Sequence, residues 1–72
     1  MINVQDIWCT DSEIWIRTVD GREAGERFAD YQPLRNASPA ERRNFTRSPF
    51  GVHWPDLDED LLFEGFFAHE KH

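Results

Sequence analysis

The sequence predicts an α+β fold: a three-stranded antiparallel meander plus a short fourth strand, packed with two or three short helices. Three observations point there. Residues 2–9 (INVQDIWC) and 13–19 (EIWIRTV) are runs rich in Ile, Val and Trp, split by the polar triplet Thr10-Asp11-Ser12. Asp20-Gly21 then supplies a hairpin signal. Ser38-Pro39-Ala40-Glu41 opens a helix well after the strands have ended.

Taken in order, the second run places Ile14 and Ile16 on one face and Trp15 and Arg17 on the other, the period of a half-buried strand. Asp20-Gly21 is read as a type I′ turn, whose two central residues need positive φ. Residues 22–28 (REAGERF) form the third strand, with apolar surface only at Ala24 and Phe28. Its charges suit an edge, where they discourage edge-to-edge pairing. Residues 30–35 fit a single helical turn. The next helix runs from Pro39 to about Phe45, capped by Ser38 and closed by Glu41. Residues 46–51 (TRSPFG) read as loop, and Val52-His53-Trp54 as the fourth strand, ended by Pro55. A last helix is expected over 60–68, with Asp60 as N-cap and Leu61, Leu62, Phe66 and Phe67 toward the core.

At 72 residues the chain holds one domain, assigned to residues 1–68, with 69–72 as a polar tail. A core of this size contributes about 3–5 kcal/mol of net stability. Cys9 is the only cysteine, so no intramolecular disulfide supplements it. Three Trp, six Phe and one Tyr supply the core instead, and rings beyond its needs favour dimerisation or a partner.

Charge is unevenly spread. Seven acids and three bases give −4 over residues 1–31; one acid and four bases give +3 over 32–50; six acids and one base give −5 over 51–72. An acidic chain is repelled by phosphate backbones, which argues against direct nucleic-acid binding and for a basic protein partner. No apolar run approaches the ~18 residues of a membrane span. The N-terminal MINVQDIW lacks the basic and apolar regions of a signal peptide, and a lone thiol fits a reducing cytoplasm.

Candidate chemistry is sparse. Asp56, Asp58 and Asp60 alternate like a calcium loop, but the sixth and twelfth positions hold Leu61 and Phe67 in place of Gly and Glu. Cys9, His53, His69 and His72 lack the paired spacing of a zinc site. No serine sits in a nucleophile-elbow context, and Cys9 ends a strand. The expectation is a non-enzyme with no metal and no cofactor. Asp56, Asp58, Glu59, Asp60 and Glu64 are the candidate partner-binding acids. Arg35, Arg42, Arg43 and Arg47 are the candidate basic patch, the alternative being a regulatory module that joins a nucleic-acid complex through them.

The order DG, L-R-N-A-S-P-A-E-R-R-N, G-V-H-W-P-D-L-D-E-D and E-G-F-F resembles the bacterial domain-of-unknown-function family 2442 over about residues 12–68. The resemblance marks Asp20, Gly21, His53, Trp54 and Pro55 as structural signature positions. Leu62 stands where that family usually has the Ser that opens the last helix, which moves the expected cap to Asp60. The resemblance implies a small cytoplasmic α+β domain with no established catalytic residues. Some such domains sit in toxin–antitoxin-like gene pairs and some are fused to a helix-turn-helix. Residues 38–50 supply only one short helix here, which suits an antitoxin-like partner of a small basic protein, or self-association as a homodimer.

Overall fold

The computed structural model describes residues 2–68; the expected tail at 69–72, with His69 and His72, lies outside them. Three strands, β1 (Val4–Cys9), β2 (Glu13–Thr18) and β3 (Glu23–Arg27), form an antiparallel sheet in that order. A 3-10 turn (Phe28–Asp30), α1 (Gln32–Arg35) and α2 (Pro39–Arg43) follow. Then β4 (Thr46–Arg47), β5 (Gly51–Trp54) and β6 (Glu59–Leu62) make a second antiparallel sheet, and α3 (Phe63–Phe66) ends the described chain. The α+β class and the meander stand as expected.

Alternation sets the core. Ile14 and Ile16 of β2 are fully buried, and they meet Val52 and Trp54 of β5 in one apolar cluster with Phe28, Leu34, Leu61, Phe63 and Phe66. The inward faces of the two central strands thus close on each other, while α1 contributes Leu34 and α3 contributes Phe66.

Three expectations need correction. The fourth strand is the centre of a second three-stranded sheet. Its partner β4 is two residues long, too short to show any periodicity, and falls inside the segment read as loop. The Asp20-Gly21 hairpin is not a two-residue type I′ turn. Thr18 N–H donates to the Arg22 carbonyl (2.8 Å) and Gly21 N–H to the Thr18 carbonyl (3.0 Å), and in this loop only Gly21 takes positive φ, at 91°. That is a three-residue loop with glycine at its left-handed position, and the Asp20 carboxylate accepts the Thr18 hydroxyl instead of adopting positive φ itself.

The third correction is the last helix. Residues 59–62 are strand, paired Asp60 to His53 and Leu61 to Val52, and helix begins only at Phe63 with Leu62 as its N-cap. The β5–β6 loop turns at Asp58, whose φ of 51° is a conformation aspartate tolerates better than most residues. Once β6 pairs, period two decides burial: Leu61 points in, and Leu62, expected in the core, points out. Phe63 takes the core place instead. The Ser38–Glu41 capping box of α2 forms as expected, although the helix stops at Arg43.

The outer face of the first sheet carries a closed stack. Trp8 and Trp15 are cross-strand partners with ring centroids 6.3 Å apart and nearly parallel, and the Arg17 guanidinium lies 5.5 Å from the Trp8 centroid. Trp15 lies over Gly25 of β3, where an added Cβ would come within 2.6 Å of the indole. Glycine here is what lets the ring cover the edge strand. Gly25→Ala is expected to lift the indole and cost about 1–3 kcal/mol, checked by urea unfolding and by loss of the Trp fluorescence shift of the folded state.

Candidate functional site

The five candidate acids do not converge. Asp56 and Asp58 sit in the β5–β6 loop, Glu59 and Asp60 on β6, and Glu64 in the first turn of α3 at the far end of that strand. Asp56 accepts a bond from the Asn44 side-chain amide at 2.6 Å, and the Glu59 carboxylate accepts the Asp60 N–H at 3.0 Å. Among the described residues, no group of three or more His, Cys, Asp or Glu is placed to hold a metal ion.

The arginines are largely committed to the fold. Arg42 donates to three carbonyls, Leu34 (2.9 Å), Asp11 (3.3 Å) and Arg35 (3.1 Å), while its guanidinium lies 4.8 Å from the centroid of the Phe28 ring. Arg47 donates to the Val4 (2.6 Å) and Gln5 (3.4 Å) carbonyls and so ties β4 to β1. Arg35 reaches the Ala29 carbonyl at 3.4 Å. Arg43 is exposed at the end of α2. A planar fork with several fixed donors suits scattered carbonyls better than an ammonium would. Local acids, the partners a charge count suggests, are not what Arg42 and Arg47 use.

His53 Nδ1 lies 2.6 Å from the Asp60 carboxylate, its cross-strand neighbour, and both side chains are exposed. Ser48 shares that face of the sheet, but its Oγ accepts the Phe50 and Gly51 N–H groups at 3.2 Å each and shapes the β4–β5 loop. The Cys9 thiol donates to the Arg42 carbonyl at 3.7 Å, and burial pushes its pKa up despite the nearby Arg43 and Arg42 charges. A thiol held protonated is a poor nucleophile.

Trp54 packs into the core, while Pro55, just after it, is exposed. Trp54 is fully buried, donates its indole N–H to the Arg42 carbonyl at 2.8 Å, and meets the Phe45 ring edge-on. Tyr31 also packs against the core. Its hydroxyl donates to the buried Glu26 carboxylate at 2.5 Å, and burial first, then that bond, raise the Tyr31 pKa well above the usual phenol value. A phenol pKa raised on folding gives stability that is present below about pH 10 and is lost as pH rises toward the folded value. Alkaline titration followed by circular dichroism is therefore expected to show a stability loss beginning near pH 10, and Tyr31→Phe is expected to flatten it.

The feature the sequence did not reveal is an exposed apolar face. Phe50 and Leu62 are 63 % and 60 % exposed, and with Ile2, Pro49 and Phe63 they line a groove of about 400 Å³ with Glu64 on its rim. Two signals bear on it: an aromatic between Pro49 and Gly51 in a loop, and the period-two outward position of Leu62 on β6.

Among the described residues, two three-stranded antiparallel sheets, three short helices and an acid-flanked apolar face make this a small α+β domain with a surface groove. The sequence model of the family described as protein of unknown function, DUF2442, matches residues 4–72, and the chain belongs to that family. Comparisons with curated proteins and with solved structures give no match. No helix among the described residues is long and apolar enough to cross a membrane.

Proposed function

We propose that this domain is a non-catalytic protein-binding module whose docking face is the Phe50–Leu62 groove. The observation that carries it is that two of the three large apolar side chains more than half exposed among the described residues, Phe50 and Leu62, line one groove. Fully burying a side chain of that size is worth about 1.5–3 kcal/mol, and a groove of this kind is where a partner gains it. Asp60 and Glu64 are exposed beside Leu62, and residues 51–72 carry six acids against one base. Charge complementarity favours a basic protein, in keeping with an antitoxin-like role in the cytoplasm. The same acids oppose self-association through this face, and the carbonyl-bound Arg42 and Arg47 weaken the reading of the arginines as a nucleic-acid patch.

The test is co-purification of the tagged chain with the product of the adjacent gene from the native host, at low and at moderate salt. A stoichiometric complex that weakens as salt rises is expected. No complex under either condition would count against the proposal.

A further inference from the structure

We infer that the groove's partner docks as an extended strand that runs parallel to β6 and presents a basic side chain beside Asp60 and an apolar one beside Leu62. This rests on the protein-binding reading and specifies how that binding is made. The sheet order leaves β6 at an edge among the described residues. Phe63 N–H donates to the Phe50 carbonyl at 2.9 Å, so antiparallel alternation gives Leu61 and Glu59 the bonds to β5 and turns the backbone groups of Asp60 and Leu62 outward. Gly51 opposite Leu62 agrees with this. An added Cβ on Gly51 would lie 3.0 Å from the Leu62 Cα, the close approach of a pair that exchanges no backbone bonds.

Of those outward groups, the Asp60 N–H is already taken by the Glu59 carboxylate at 3.0 Å. The Leu62 carbonyl belongs to the first turn of α3. What remains, among the described residues, is the Asp60 carbonyl and the Leu62 N–H. A residue joining an antiparallel edge takes the N–H and carbonyl of one residue opposite. A residue joining a parallel edge takes the carbonyl and the N–H that flank one residue, here Leu61. The free groups match the parallel case.

Side chains then fix the partner's chemistry. Neighbouring strands align side chains by face, so the incoming residue beside Asp60 meets a carboxylate and the residue two further on meets Leu62. In N-to-C order the docking segment reads basic, any, apolar. A second copy of β6 is disfavoured because it brings Glu59, Asp60 and Glu64 against their own kind.

The experiment is an NMR titration of the ¹⁵N-labelled full chain with the blocked peptide Ser-Lys-Thr-Leu-Thr-Ser and with its reverse, Ser-Thr-Leu-Thr-Lys-Ser. The two have the same charge and composition. The forward peptide is expected to shift the Leu62 amide saturably, to slow its hydrogen exchange, and to bind at least fivefold more tightly than the reverse. Leu62→Pro removes that N–H at a φ of −79°, which proline accepts, and is expected to weaken binding tenfold or more while Leu62→Ala weakens it less. Equal or tighter binding of the reverse peptide would overturn the proposal, as would shifts that spare the Leu62 amide or no saturable shift with either peptide. Leu62 protection that grows with protein concentration alone would identify a second copy as the occupant and overturn it too. None of these results touches the native partner's co-purification, so failure of the strand mode and failure of the protein-binding reading stay separate.

Discussion

Trp54→Ala is expected to leave the chain without a stable fold at 25 °C. The indole is wholly buried at the meeting of the two sheets and holds the Arg42 carbonyl through its N–H. Truncating a buried Trp typically costs about 3–5 kcal/mol, which equals the whole net stability of about 3–5 kcal/mol expected for a domain of this size. Near-ultraviolet circular dichroism and amide NMR dispersion check it; both are expected to collapse. Trp54→Phe is expected to stay folded but less stable, since it keeps most of the apolar volume and leaves the Arg42 carbonyl only the weak Cys9 thiol as donor.

Arg42→Ala is expected to cost about 2–4 kcal/mol, because hydrogen bonds to a charged group contribute about 1.5–3 kcal/mol each and these three share one guanidinium, so they do not simply add. The side chain joins α1 to the β1–β2 loop through the Leu34, Arg35 and Asp11 carbonyls and packs on buried Phe28. For a domain of this length that loss lowers the melting temperature by about 8–32 °C. Arg42→Lys is expected to recover less than half, for want of the planar fork. Arg43→Ala, one position on and exposed, is expected to change stability by no more than about 0.5 kcal/mol. Equal effects at the two positions would remove Arg42 from this role.

The parts of the fold that the sequence displayed are those fixed by local chemistry. Period-two burial of Ile14 and Ile16, the capping box at Ser38 and Glu41, and the edge character of β3 follow from neighbours in the chain. The parts that were hidden depend on distant pairing. Residues 59–62 look like the start of an acidic-capped helix until β5 is available to pair with them, and β4 has too few residues to announce itself. Gly25 looks like a weakness in a strand until Trp15 is seen lying on it. The candidate acids and arginines were visible as charge, but charge alone did not say which were already engaged. Arg42 and Arg47 are anchored by main-chain carbonyls that no residue count reveals, and the apolar face emerged only when Leu62 turned outward.

The most direct measurement is the affinity of the purified chain for its co-purifying partner, by titration calorimetry, against the double variant Phe50→Asp and Leu62→Asp. Both side chains are exposed, so the variant is expected to melt within a few degrees of the parent. The docking-face account predicts that affinity falls by at least about 100-fold, the loss of one fully buried side chain or more. Unchanged affinity in the folded double variant would contradict it.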